Sequence, residues 1–387
     1  MPHSPSDRMT RVQQPVIPLI GQWIAEQPGV LSLAQGIAHY SPPSEIMTVL
    51  ADRQDDIALH RYAAARGIPE LLDRIEAKVQ RENATDLTGR KICCTAGSNM
   101  GFLNAISCVA NVGDEIVLLT PYYFNHHMAI EILGCQPVCI PTDANYQIDV
   151  QRVADAITDR TRAVVTVSPN NPSGAVYPAN ALHEVNQICL REGIFHIHDE
   201  AYEYFVFGDE AHVSPSSFAD SAAHTISLFS LSKAYAMAGW RIGYMVYPAQ
   251  LESAVHKVQD TNLICPPIAC QRAACIALDV GRSWCDAQIK AIRSVREPFF
   301  AQLRQIDDRC QVNEPAGAFY ALLTLSTAQD DLQLVKSLVR DYAVATLPGS
   351  TFGITESCVL RLSYGGLQSN LVLQAVERLT CGLRRLL

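Results

Sequence analysis

An α/β fold is predicted, a large domain on a mostly parallel seven-stranded sheet with a smaller αβ domain beside it, and three observations predict it. Short β-rich runs alternate with longer segments of helical period between Lys91 and Pro248, as expected of strands joined by crossover helices. The side chains best suited to chemistry follow or begin those runs, where open α/β sheets bind ligands. The chain has 387 residues, 48% of them apolar, ample for a full core and too many for one small domain.

Strands are expected at 91–94, 115–119, 136–140, 163–167, 195–198, 225–229 and 241–246. After Pro248 the period turns helical through LESAVHKVQD and again over 268–303, then returns to mixed segments in PAGAFYALLTL and VLRLSYGG. The expected division is an N-terminal arm and part of the small domain at 1–45, a large ligand-binding domain at 46–285, and a small C-terminal domain at 286–387. There is no internal repeat, low-complexity tract or long charge block.

The formal charge of −9 without any cluster of Lys and Arg argues against a nucleic-acid surface. No uninterrupted apolar run reaches the roughly 18 residues that a bilayer span requires. The opening MPHSPSDRMTRVQQPV lacks the apolar core of a secretory signal. Thirteen cysteines are scattered without repeated short spacings, and Cys93 and Cys94 are adjacent. They read as reduced thiols, not as a disulfide frame or a zinc site. A cytoplasmic protein acting on small molecules is expected, with no metal, nucleic-acid or membrane partner.

SLSKAYAMAGWRIGY, residues 230–244, sets one lysine just after two serines with an arginine further on. A partly desolvated Lys233 loses its proton more easily, and the free amine can condense with a carbonyl. Ser230, Ser232 and the fork of Arg241 suit a nearby phosphate. A solvated lysine in a Ser-rich loop is the ordinary reading of the same letters. CTAGSNMGFLNAI, residues 94–106, passes through Gly97 and Ser98 into a helix starting near Asn99. That helix start suits the same anion, although a capped βα turn would look alike.

In TPYYFNHHM, Tyr123 can lie flat on a heteroaromatic ring and His126 can reach the same pocket; a core tyrosine and a structural histidine are the alternatives. VSPNNPSG ends a strand in turn-forming residues, and the amide of Asn171 can donate to a ring oxygen. HIHDEAYEYF places Asp199 at a strand end with Tyr202 after it. A carboxylate there can bond a protonated pyridine nitrogen, or simply cap a helix.

In this order and spacing, these residues resemble the fold type I pyridoxal-phosphate enzymes, in particular the class I and II aminotransferases, over nearly the whole chain. The resemblance implies that Lys233 is the Schiff-base lysine and proton carrier, Asp199 the partner of the pyridine nitrogen, and Tyr123 the ring-stacking side chain. Asn171 and Tyr202 would touch the ring oxygen, while Gly97, Ser98, Asn99, Ser230, Ser232 and Arg241 would enclose the phosphate. His126 would stand behind Asp199. HRYAAARGIPEL, residues 60–71, matches the segment whose tyrosine, here Tyr62, reaches the phosphate of the neighbouring subunit, which implies a homodimer with shared sites. The usual glycine after that tyrosine is Ala63. VLRLSYGG makes Arg361 the clamp for the substrate α-carboxylate, and LSLAQGIAHYSPP makes Gly36 part of the segment closing over substrate.

TPYYFNHHM, NPSG, AYEYF, AMAGWRIGY and KVQDTNLICPP are most similar to the plant-type aminotransferases that act on methionine and aromatic amino acids. Aspartate-specific relatives bring a second arginine from the segment after the lysine helix. Here that segment carries no Arg or Lys beyond Lys257 up to Gln271, and offers Ile264, Cys265 and Pro266. Burying an unpaired distal carboxylate there would be costly. Methionine, phenylalanine, tyrosine or tryptophan with a 2-oxo acid is therefore the expected substrate class. A β-lyase of the same fold, or a regulator that keeps the fold without turnover, is the alternative; only about 30 residues precede LSLAQG, too few for a separate DNA-binding domain. Whether Cys94 or Cys265 touches substrate is open.

Overall fold

The computed structural model describes residues 4–53 and 55–387. Its central sheet has seven strands: β1 Arg90–Thr95, β2 Glu115–Thr120, β3 Gln136–Pro141, β4 Thr161–Val167, β5 Phe195–Asp199, β6 Thr225–Ser230 and β7 Gly243–Pro248. They lie in the order β1-β7-β6-β5-β4-β2-β3. β7 alone runs opposite to the other six. The mostly parallel sheet of the expected α/β class is thus present.

Strands β2 and β4 are covered on both faces, which is why they are apolar at successive positions instead of alternating. On β2, Ile116 and Leu118 pack with Phe102, Ala105 and Ile106 of the helix Ser98–Val109. Val117 and Leu119 face the other way, against Leu182, Val185 and Cys189 of the helix Ala179–Glu192.

A second sheet of four strands, β8 Cys310–Val312, β9 Tyr320–Leu325, β10 Leu347–Pro348 and β11 Val359–Ser363, is antiparallel throughout, in the order β10-β11-β9-β8. Leu31–Ser32 pairs in parallel with Val344–Ala345, so the N-terminal arm docks on the C-terminal part of the chain. The helix Ile268–Leu303 runs between the two regions and is broken at Gly281, at φ 68°, ψ −165°. Among the described residues no helix is long and apolar enough to cross a membrane.

The strand expected at 241–246 begins only at Gly243. Arg241 instead adopts a left-handed conformation, φ 50°, ψ 59°, at the end of the turn Ala238–Trp240. That turn folds its guanidinium back, so that Nη1 donates to the Ala238 carbonyl and Nη2 to that of Ala96. Gly243 then threads a narrow gap, because a Cβ there would lie 2.5 Å from the Phe229 carbonyl oxygen and 3.1 Å from Gly97 Cα. Both neighbours are backbone and neither can rotate away. Gly243→Ala is expected to lower stability by about 1–3 kcal/mol, read as a fall in the denaturant midpoint at unchanged slope.

Candidate active site

Six chain segments reach the same edge of the large sheet. β1, β2, β4, β5 and β6 end there, delivering Gly97, Tyr123, Asn171, Asp199 and Lys233 within a few residues of their last strand positions, and antiparallel β7 starts there just after Arg241. One cavity is lined by Ser98, Asn99, Tyr123, Asn171, Asp199, Tyr202, Ser230, Ser232, Lys233 and Arg241, together with Val167, Ala201 and Ala238. A second cleft shares Tyr123, Asn171 and Lys233 and adds Gly36 and Arg361. Of the expected site residues, Tyr62 lies outside both; it is 81% exposed. Gly97 lies beneath the first cavity as the residue preceding its helix.

Gly97 has φ 79°, ψ 168°, a backbone state suited to glycine. A Cβ on it would fall 2.5 Å from Arg241 Nη2. The missing methyl lets the guanidinium sit directly over the start of the helix Ser98–Val109. First-turn amides have no intrahelical acceptor and carry the positive end of the helix dipole. Ser232 stays close through its amide, which donates to Ser230 Oγ at 3.2 Å. Two hydroxyls, a helix start and an arginine thus surround one end of the cavity.

Asp199 marks the other end, 3% exposed. Its Oδ1 accepts from the Ala201 amide at 2.9 Å, and its Oδ2 lies 3.2 Å from His126 Nε2. The His126 ring is held by stacking on Phe102, 3.9 Å between centres. Tyr123 stands between them, edge-on to His126, with its Oη accepting from Asn125 Nδ2 at 2.8 Å.

Arg361 enters from β11 and is 2% exposed. Its partners are neutral: Nη1 donates to Asn171 Oδ1 at 3.0 Å, Nη2 donates to the Ala34 carbonyl, and Nε is buried without a partner. A desolvated guanidinium offered only neutral acceptors calls for an anion. The bond to Asn171 also settles which way that amide faces. Oδ1 is taken by the arginine, so Nδ2 remains to donate into the cavity.

Lys233 Nζ donates to the Gly36 carbonyl at 2.7 Å and lies 5.4 Å from the centre of the Tyr202 ring. Burial, and then the Arg361 charge, pull its pKa down to about 8, against a smaller opposing effect of Asp199. Cys94 and Cys265 line neither space.

Tyr320, Pro15, Ile17 and Pro18 were not singled out from the sequence, yet all four line the second cleft. The signal for Tyr320 is its place in GAFYALLTL, one step from a glycine-linked turn. For Pro15 to Pro18 there was none, because proline-rich arms occur on many surfaces.

The residues present fit pyridoxal phosphate. The cradle at Gly97, which a Cβ would fill, matches the phosphate; the fixed carboxylate of Asp199 matches a protonated ring nitrogen; and the free Asn171 amide matches a ring oxygen.

Residues 28–379 match the sequence model of the family described as aminotransferase class I and II. The chain is 31% identical to the Arabidopsis thaliana aromatic aminotransferase ISS1, covering 99% of this chain and 97% of the relative. It is 33% identical to a probable aspartate/prephenate aminotransferase of Aquifex aeolicus, over 84% of this chain and 82% of that one. In three dimensions it is similar to a mutant of Thermus thermophilus aspartate aminotransferase, with TM-score 0.89 and 28% identity, covering 98% of this chain and 100% of that one.

Since Lys233 carries its proton below about pH 8, cofactor-stripped protein should capture pyridoxal phosphate faster as pH rises and level off above that value. Stopped-flow absorbance across the range measures this. A rate still climbing near the ordinary lysine pKa would contradict the assignment, and Lys233→Ala should abolish the fast phase.

Proposed function

The chain belongs to the class I and II aminotransferases, pyridoxal-phosphate-dependent transaminases, and from that premise we propose that it exchanges the amino group between an apolar or aromatic amino acid and a 2-oxo acid. Methionine, phenylalanine, tyrosine and tryptophan are the donors in this reading. One observation carries it: beyond Lys233 the cleft is walled by Pro15, Ile17, Pro18, Ile37 and Phe124 with the neutral amides Gln35 and Asn125, and among the described residues its cations are Lys233 and Arg361 alone. Arg361 is committed to one carboxylate, which leaves no cation in this chain's wall for a second. The segment from Thr261 to Gln271, also without a cation, exposes Ile264 just past the helix that ends at Asn262.

Bound pyridoxal phosphate supplies the electron-withdrawing ring that lets an amino acid release its Cα proton. In our assignment the chain does the rest. Ser98, Asn99, Ser230, Ser232 and Arg241 bind the phosphate. Asp199, steadied by the Ala201 amide and His126, holds a proton on the ring nitrogen. Tyr123 covers the ring face, and Asn171 and Tyr202 donate to its oxygen. Arg361 grips the α-carboxylate with its fork and orients Cα toward Lys233. The Lys233 amine, once displaced, takes the Cα proton on Nζ and returns it on the far side of the exchange. Gly36 and the arm around it exclude water.

We also place Tyr62 against the phosphate in a second copy of the chain, which makes the working unit a homodimer. Its exposure, with that of nearby Met47 and Ile57, supports this. We divide the chain into the arm at 1–45, the cofactor-binding domain at 46–285 and the small domain at 286–387; the break at Gly281 falls just before the second boundary. Thirteen cysteines, all free, suit the reducing cytoplasm.

Initial rates for a panel of amino donors with phenylpyruvate, and with a different 2-oxo acid where phenylalanine is the donor, test the substrate class. Methionine and the aromatic amino acids should lead, and a clear preference for aspartate would refute the reading. Release of pyruvate and ammonia without consumption of a keto acid would instead point to the β-lyase. Arg361→Lys should raise KM for donor and acceptor alike by about 10- to 100-fold, the worth of a lost bidentate bond.

A further inference from the structure

Tyr320 opens β9 and is fully buried. Its Oη lies 2.5 Å from Tyr202 Oη. Its ring packs under Arg361, whose Cζ is 4.4 Å from the ring centre. A methyl added to Gly36 would come within 2.0 Å of the same hydroxyl. Tyr320 therefore touches the closing arm, the carboxylate clamp and the ring-oxygen phenol at once, while standing outside the cavity that fits the cofactor.

Two phenols in contact share one hydrogen bond, and the more acidic one is the better donor. Burial raises the Tyr202 hydroxyl well above the ordinary phenol value, with the charge of Tyr320 adding to it. Burial raises Tyr320 only to about 12, because the Arg361 charge beside its ring opposes the rise. A cation against an aromatic face draws electron density from the ring and hence from its oxygen. Tyr320 Oη meets Tyr202 Oη and does not reach the cofactor cavity, whereas Tyr202 lines it, so the arrangement that leaves a phenol proton facing the cavity has Tyr320 donating and Tyr202 Oη accepting. With its lone pair engaged, Tyr202 keeps its own proton for the other side, which is the cavity it lines.

We propose that Tyr320 is a positioning residue for the cofactor's ring oxygen: by donating to Tyr202 Oη, it commits the Tyr202 proton to that oxygen. The role is independent of which amino acid serves as donor, so it stands or falls separately from the substrate reading.

The visible-absorbance pH titration of the holoenzyme tests this. Its midpoint reports how strongly the ring oxygen is held in its anionic form. The groups facing that chromophore are Lys233, Asp199, Tyr123, Tyr202, Arg241 and Arg361, none of them altered in Tyr320→Phe. Losing the donated bond weakens the hold on the anion, so the midpoint should rise by about 0.5 to 1 pH unit, the worth of one ordinary hydrogen bond. Tyr202→Phe should move it the same way, and the double variant no further than Tyr202→Phe alone. Phenylalanine keeps the ring, so a purely packing role for Tyr320 would leave the midpoint where it was. An unmoved Tyr320→Phe midpoint, or shifts that add, would overturn the proposal. If Tyr320→Phe does not fold, Gly36→Ala gives the second reading: its methyl displaces the hydroxyl from Tyr202 and should raise the midpoint likewise, and no rise there overturns the proposal.

Discussion

A guanidinium taken out of water with no acid beside it sets the terms for this site. Removing a full charge from solvent costs several kcal/mol even after relaxation. Among the described residues, Arg361 meets two neutral oxygens and two aromatic faces, Tyr320 at 4.4 Å and Phe352 at 5.2 Å. The debt is left for an anionic ligand to settle. It also explains details that look unrelated. Asn171 is oriented by giving its oxygen to the arginine, the arm at Ala34 is tied down by its carbonyl, and Lys233 feels the positive charge as part of what lowers its pKa. One buried charge thus aligns the amide, the arm and the amine.

The sheet makes such a convergence possible. Parallel strands release their chains at one edge, so residues far apart in sequence arrive there without long excursions. Antiparallel β7 adds Arg241 from its starting end, which keeps the phosphate-facing guanidinium at that edge too. The cost is crowding, visible at Gly97 and Gly243, where backbone passes backbone and arginine with no room for a methyl.

What could be read in advance followed from local physics. β2 and β4 were legible because strands buried on both faces are apolar at nearly every position, while β3, β5 and β6 were legible as short β-rich runs between helical segments. Lys233, Asp199 and Asn171 were legible because each sits where a β-run gives way to small or turn-forming residues. Arg241 was misplaced into a strand because nothing in RIGYMV announces a left-handed residue; that state is imposed by the contact with Gly97 and Ala96, far upstream. Tyr320 escaped notice for a related reason. On β9 it occupies an ordinary inward-facing position, and its importance comes from Tyr202 and Gly36, more than a hundred residues away. Likewise the apolar wall from Pro15 to Pro18 gains meaning only when the arm docks beside Val344.

The break in the long helix carries a lesson about tolerance to change. Gly281 is partly open to solvent, and a side chain grown from it would meet nothing within 4 Å. Judged by packing it is as permissive as any surface position. Yet φ 68° with ψ −165° is a region that glycine alone enters without penalty. The restriction at this point is conformational and invisible to any inventory of neighbours, so a survey of substitutions would find a spacious position as unforgiving as the interior.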